Sequence, residues 1–413
     1  MSVLSAHCTD PQFTAETQLS EGFGEESKQA GGVWLAENAF FELEDSEWLK
    51  HILAAEVAEV EALELRMLTE AKHCPSWLLW EKAISEELTT LENARTWHLE
   101  KAPPRANVIG SKWVLKAKKD AAGNIACYKA HLVTQGFSQI GGIDYDDTYA
   151  PVAKLASSCM VIAMANHLGL ILHQIDIKGA YLNSILQGDK VLYLRQPPGY
   201  LEPGVGMQVL RLQKALYSLK QAGWCWYQTF TVILEKLGFS QCLVDQAIYH
   251  QAVSASGGVI IAAVHVDDCI IAASKLCLVD AFKAGLSEHV EVTDLRELHW
   301  MLRIEVKQYW AAGMVHLSQR VYIDSILHCF NFTNLKLLST PMDVQAQLMS
   351  EQAPASAAEF AAMWDVPYCE AVSTLNWAVL ATQPDISFSV STMAHFASKP
   401  RPVHWEAVKW IFR

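Results

Sequence analysis

Two adjacent carboxylates, Asp267 and Asp268, interrupt the apolar stretch AAVHVDDCIIAA that runs from Ala262 to Ala273. Neither can be buried unpaired, because desolvating an ionised carboxylate costs several kcal/mol, so the pair demands water or a cation. Asp is also a common turn residue, and for this pair alone a solvated hairpin tip is as good a reading as a metal site. A third carboxylate, Asp176, sits near the end of the strand-like segment Ile171 to Ile177. Strand alternation puts Leu172, Gln174 and Asp176 on one face and Ile171, His173, Ile175 and Ile177 on the other. Alone, Asp176 is an ordinary strand-end residue. If the two segments are neighbours in one sheet, however, three carboxylates converge, and hard oxygen ligands of this kind suit Mg²⁺ or Mn²⁺ that also hold substrate phosphates. That is the layout of two-metal nucleotidyl transfer, with ions about 3.5–4 Å apart, one activating the attacking hydroxyl and one steadying the leaving oxygen.

The elements that must position these groups are legible in outline. Trp80, Ile84, Leu88 and Leu91 recur at helical spacing before Pro103-Pro104 ends the pattern. Lys112 to Lys118 and Ile125 to Val133 read as two basic strands around an Asp-Ala-Ala-Gly-Asn turn, a projecting hairpin. A helix is expected from about Lys154 to His167, with Leu155, Cys159, Ile162, Ala163 and Asn166 along its stripe. A second is expected from Ala215 to Leu237, with Trp226, Phe230, Ile233 and Leu237 at one-turn intervals and Gly238 as its stop. Gly257 to Ser274 reads as two apolar strands around the Asp-Asp corner. Helix Leu276 to His289, a strand pair over Met301 to Leu317, and helix Ser318 to Phe330 follow. Thr340 to Glu359 is a Ser, Ala, Gln and Pro rich linker before a last helical segment.

Composition narrows the classes. The chain has 413 residues, of which 51% are hydrophobic, with a net charge of −13. Residues 1 to 70 hold 15 acidic and 3 basic side chains, a net of −12, so the remainder is close to neutral and does not coat nucleic acid by bulk attraction. That first segment reads as a solvated acidic leader, with one helix expected around Ala54 to Leu68. Ten scattered cysteines form no Cys-x-x-Cys, which argues against a zinc finger and fits a reducing compartment. There is no signal peptide, and the most apolar run, Val259 to Ala273, is cut by His265, Asp267 and Asp268, too short for a membrane span. An intracellular protein without a membrane partner is expected. No phosphate-loop lysine, dinucleotide glycine fingerprint or Gly-x-Ser-x-Gly supports another enzyme class.

At this point the sequence resembles the reverse transcriptase of Ty1/copia-type long-terminal-repeat retrotransposons. The resemblance runs from about Trp77 to Arg413 through ordered segments, among them SKWVLKAKKD, YKAHLVTQGFSQIGGIDYDDTYAPVAKL, HQIDIKGAYLN, LQKALYSLKQAGWCWY, VHVDDCII, QPDISFSVS and HWEAVKWIFR. It implies an α+β right-hand polymerase with fingers, palm and thumb around an antiparallel palm sheet. It implies RNA-directed DNA polymerase activity, with two Mg²⁺ or Mn²⁺ ions, deoxynucleoside triphosphates, and an RNA or DNA template with its primer as partners. Asp176, Asp267 and Asp268 match the catalytic carboxylates. The metal ligands would be these three and the Ile177 backbone carbonyl. Tyr181 matches the ring that crowds a ribose 2′-hydroxyl, and Gln221 the residue under the incoming sugar. Lys116, Lys118 and Lys129 are candidates for the triphosphate, although each is equally a solvated surface lysine.

The resemblance divides the chain into an acidic leader over 1–70, a polymerase domain over 71–340, and a linker with a truncated connection segment over 341–413 leading toward an absent ribonuclease H domain. A second reading, from another class, is a catalytically silent palm-fold module that binds nucleic acid or protein. Several positions depart from the family's pattern: Cys127 and His131 stand where Arg is usual, Ser218 for Gly, Trp224 for Arg, His265 for Tyr, Arg303 for Gly, Cys369 for Arg, Ser373 for Gly and Gln383 for Arg. Each change can arise by one transition in a codon. They therefore read as the scars of a decaying genomic copy, or else as variants of a lineage.

Overall fold

The computed structural model describes residues 64–65, 68–119, 125–186, 190–201, 204, 208–253, 257–309, 312–343 and 363–413. All of them belong to one compact unit. The elements in order are β1 (Glu64–Leu65), α1 (Leu68–His73), α2 (Trp77–Asn93), β2 (Trp97–Glu100), β3 (Val108–Ile109), β4 (Ser111–Lys119), β5 (Ile125–Thr134), α3 (Leu155–Leu168), β6 (Ile171–Ile177), β7 (Tyr193–Leu194) and β8 (Val209–Leu212). They continue with α4 (Ala222–Lys236), β9 (Ser240–Gln241), β10 (Ile248–Val253), β11 (Gly258–His265), β12 (Asp268–Ala273), α5 (Leu276–Ser287), β13 (Val292–Glu297), β14 (Trp300–Met301), β15 (Ile304–Tyr309), β16 (Met314–Ser318), α6 (Arg320–Cys329), α7 (Tyr368–Ala381), α8 (Ser387–Ala394) and α9 (Pro402–Ile411). This is an α+β chain. None of its described helices is long and apolar enough to cross a membrane.

A six-stranded sheet in the order β13-β6-β12-β11-β10-β9, antiparallel throughout, forms the centre. Both of its faces are covered. Ile175, Ile177, Ala262, Val264 and Ile271 pack with Trp226, Phe230 and Leu234 of α4 and with Val279, Phe282 and Leu286 of α5. Leu172, Ile261, Ala263 and Ile270 pack with Val161, Ile162 and Ala165 of α3 and with Met301, Ile304 and Val306 of β14 and β15. Burial on both faces explains why the run from Val259 to Ala273 is almost unbroken in its hydrophobicity yet forms two strands. Each such aliphatic or aromatic side chain contributes about 1.5–3 kcal/mol when fully buried.

The basic hairpin is present, β4 on β5, with β1 added at its edge: Glu64 and Leu65 pair with Lys116 and Leu115. The helix expected over 54–68 thus gives way to a strand at its end, and residues 54–63 lie outside the described residues, as does the hairpin's turn at 120–124. Three features differ from the sequence expectation. Helix α4 begins at Ala222 rather than 215, because Ser218 takes a left-handed conformation, φ +67°, that no helix accommodates. The buried stripe of α3 is Ser158, Val161, Ile162 and Ala165, while Ala163 is exposed, since α3 must face both the central sheet and β16. The strand pair over 301–317 is a three-stranded sheet, β14-β15-β16. Beyond the linker, much of which lies outside the described residues, α7, α8 and α9 pack with α6 around Tyr322, Tyr368, Val372 and Met393.

Candidate active site

The sheet order brings the three carboxylates to one end. Strand β6 lies directly beside β12, and in their register Asp176 faces Asp268. Strand β11 returns into β12 through the two-residue turn Val266-Asp267, so His265 pairs with Asp268 and Asp267 occupies the tip. The Asp-Asp corner expected from sequence is thus split: one carboxylate begins a strand and the other caps the hairpin. All three are half-buried. Gln174, two residues before Asp176 on the same face, donates from Nε2 to Asp268 Oδ1 at 3.3 Å. Burial, then Asp267 and then Asp176, raises the Asp268 carboxyl above the ordinary Asp range, against the opposing effects of Gln174 and His265.

The tip is held by its backbone. The Ile177 amide donates to the Asp267 carbonyl at 2.9 Å, and the Trp226 indole Nε1 donates to the Val266 carbonyl at 2.7 Å. Val266 has φ +58°, which is strained for a β-branched residue. An apolar cavity of about 120 Å³ lies beside this turn, lined by Tyr181, Gly223, Trp226, Tyr249, Val264 and Val266 among others.

Two tyrosines line the Asp267 side. Tyr181, in the short 3₁₀ turn Ala180–Asn183 that follows β6, meets Tyr217 edge-on with ring centroids 5.2 Å apart. Burial and the Asp267 charge raise the Tyr181 phenol, and burial with Asp267 and Glu87 pushes Tyr217 up to about 12. Tyr217 in turn lies 5.5 Å from the His131 ring, and His131 Nδ1 is 3.4 Å from Glu87 Oε1. His131 belongs to the face of the basic hairpin on which Lys116 and Lys129 sit as direct cross-strand partners. Lys116 is half-buried and Lys129 exposed. Two like charges held opposite one another cost stability and are suited to an anion. The Lys118 backbone lies in β4, but its side chain is outside the described residues.

Gln221 is built in from behind. Its Oε1 accepts from Gln139 Nε2 at 3.0 Å, and its Nε2 donates to the Asp144 carbonyl at 3.0 Å. Gln139 is buried and accepts the Lys220 amide through Oε1 at 2.8 Å. The Asp144 carboxylate collects the Asn107 amide group at 2.6 Å and the Ile140 backbone amide at 2.7 Å. These fixings fall to Glu87, Gln139, Asp144, Gln174, Tyr217 and Trp226, none of which carries a local sequence signal. Trp226 reads as one more apolar residue of a helical stripe, Gln139 sits in a loop without a periodic pattern, and Gln174 reads only as a polar position in the alternation of β6.

The donor set is hard and anionic, as a divalent cation requires. Among the described residues, no three His, Cys, Asp or Glu side chains already stand in a metal-holding arrangement. The carboxylates therefore share one end of the sheet without forming a closed cage. Burial first, and then the charges of Asp267 and Asp176, raise the Asp268 carboxyl, so a bound cation would relieve a cost that the site carries without one.

Comparison with known proteins shows the family of the chain. A sequence profile of the family described as "Reverse transcriptase (RNA-dependent DNA polymerase)" matches residues 94–344, a span that holds every site residue named above except Glu87. The Pol polyprotein of transposon TNT 1-94 from Nicotiana tabacum is 34% identical over 332 residues, 80% of this chain and 25% of that protein. The Pol polyprotein of transposon RE1 from Arabidopsis thaliana is 32% identical over 336 residues, 81% of this chain and 22% of that protein. A foamy viral protease-reverse transcriptase solved in complex with double-stranded DNA superimposes with a TM-score of 0.42 at 11% identity, over 86% of this chain and 50% of that one. The chain spans about a quarter of the length of the transposon polyproteins it matches. With the profile covering more than half of its residues, the chain belongs to the reverse transcriptase (RNA-dependent DNA polymerase) family, in the form carried by copia-type Pol polyproteins.

Proposed function

We propose that this chain is an RNA-directed DNA polymerase that extends a primer by nucleotidyl transfer at Asp176, Asp267 and Asp268. The observation that carries the reading is the register of β6 on β12, which sets Asp176 against Asp268 beside the tip that bears Asp267. In this reading the central sheet with α3, α4 and α5 is the palm, and the β1-β4-β5 sheet with the loop over 135–149 is the fingers. The helices after β16 are the thumb and the start of a connection. The leader, polymerase and connection segments keep the bounds 1–70, 71–340 and 341–413.

Asp176, Asp267, Asp268 and the Ile177 carbonyl would hold two Mg²⁺ or Mn²⁺ ions, which supply activation of the primer 3′-hydroxyl and charge neutralisation at the leaving oxygen. The protein's own groups do the rest. Lys116 and Lys129 offer paired cationic donors to the triphosphate. The Tyr181 ring, braced by Tyr217, closes the space where a 2′-hydroxyl would sit and so selects deoxynucleotides. Gln221, fixed at both ends of its amide, supports the incoming sugar at little entropic cost.

The test is primer extension on an RNA template with Mg²⁺ or Mn²⁺, beside a chain carrying Asp267→Asn and Asp268→Asn together. Extension by the wild type that is lost in the double variant is the expected result. A folded wild type as inactive as the variant that still binds primer-template would instead favour the silent binding module.

A further inference from the structure

The geometry points to Trp226 as the residue that positions the catalytic turn, a role that rests on the polymerase reading of Asp267. The direction of the Asp267 side chain is set by the two peptide planes that meet at its Cα. One carries the Asp267 carbonyl, which accepts the Ile177 amide at 2.9 Å. The other carries the Val266 carbonyl, which accepts the Trp226 indole at 2.7 Å. With both planes pinned, the φ and ψ of Asp267 are fixed, and only one of the two pins is a side chain.

The turn needs a pin. Val266 holds φ +58°, a conformation that a β-branched residue leaves when released. Packing beside the turn is incomplete, because the cavity lined by Trp226, Val264 and Val266 lies there. Trp226 itself is rigid: it is 3% exposed, on the buried face of α4, and stacked on Phe230 at 5.0 Å. A helix anchored in the core thus reaches through one N–H to the backbone of the hairpin tip. Trp226 touches no substrate in this scheme and acts through Val266.

The experiment separates the N–H from the ring. Replacing Trp226 with 3-benzothienylalanine keeps the bicyclic shape and removes the donor, and Trp226→Phe does so with some loss of volume. Phe230→Leu disturbs the same stack but leaves the hydrogen bond. Hydrogen exchange over residues 258–273 reads the turn whether or not the protein extends a primer, and steady-state extension reads the chemistry. Loss of the donor should speed exchange at residues 266–268 and lower kcat by about 10- to 100-fold, with KM for the deoxynucleotide nearly unchanged, as misplacement of a reacting group does. Adding Val266→Gly to Trp226→Phe, which frees the turn of its strain, should recover part of kcat. Unchanged exchange in the benzothienylalanine protein, or an equal loss of kcat in Phe230→Leu, would overturn the proposal. Absence of extension by the wild type would sink the polymerase reading alone, because the exchange measurement still decides whether Trp226 holds the turn.

Discussion

Asp176 and Asp268 stand directly opposite one another across β6 and β12, with Asp267 one residue away at the hairpin tip. The folded chain holds these like charges together, and burial with Asp267 and Asp176 raises the Asp268 carboxyl accordingly. A carboxyl whose folded pKa lies above its unfolded value binds more protons in the folded state. Stability then falls as pH rises from the ordinary Asp value of about 3.9 through the raised folded value, above which the whole penalty is present. Asp268→Asn should therefore raise Tm of the metal-free protein at pH 7 by about 2–4 °C and flatten that slope. Mg²⁺ should raise Tm of the wild type only. Scanning calorimetry across pH checks both, and a lower Tm for Asp268→Asn at pH 7 would contradict the argument.

Ser218 and Arg303 occupy left-handed backbone, φ +67° and +63°, at two positions where the resemblance implies glycine. Arg303 follows Leu302, φ +48°, in the two-residue turn between the paired Met301 and Ile304, a geometry that glycine and asparagine favour. Ser218→Gly and Arg303→Gly should each stabilise the protein by about 0.5–1 kcal/mol, the relief of strain less the entropy of a freer unfolded chain. Urea melts of the two variants test this, and a loss of stability in either would show that the side chain contributes more than its backbone costs.

Gln139 reaches Gln221 and the Lys220 amide at once. Gln139→Ala strands that amide and one end of the Gln221 side chain, which should cost about 1–3 kcal/mol of stability. It should also raise KM for the deoxynucleotide more than it lowers kcat, because Gln221 is loosened rather than removed. Chemical denaturation with extension kinetics separates the two effects; a KM equal to the wild type would detach Gln139 from the nucleotide site.

His131 lies between Glu87 and Tyr217 on the hairpin face that bears Lys116 and Lys129. An imidazole there offers neither the permanent charge nor the fork of donors that a guanidinium does. His131→Arg should pair with Glu87 and lower KM for the deoxynucleotide by about 10-fold, the worth of one charge-assisted hydrogen bond. Nucleotide titrations at low ionic strength check it, and an unchanged KM would place position 131 outside the triphosphate path.

The outline of the site was legible because its strongest features are local. Strand β6 runs from Ile171 to Ile177 as its alternation requires, and Gly258 to Ala273 forms the expected hairpin. Helical periodicity continues through Leu216 and Leu219 and so predicts a helix over 215–237, while a left-handed Ser218 breaks the backbone and the helix starts only at Ala222. The α3 stripe predicted from sequence is rotated relative to the buried one, because Ala163 and Ser158 are both small and only the packing partners decide which is buried. At Ser373, a third position where the resemblance implies glycine, the side chain is buried and its hydroxyl has no hydrogen-bond partner among the described residues.

The sequence by itself determined which residue types are present and the segments that carry them: the carboxylates, the basic hairpin, and the order of motifs that marks the family. Local chemistry suffices for that, since alternation, turn residues and charge act within a few residues. Only the tertiary structure decided that β6 lies beside β12, that Gln139 and Asp144 hold Gln221, and that an indole from α4 holds the tip of the hairpin. Those relations join residues 40 to about 90 positions apart, and no local preference sets them; they follow from which apolar faces find each other when the sheet is buried on both sides.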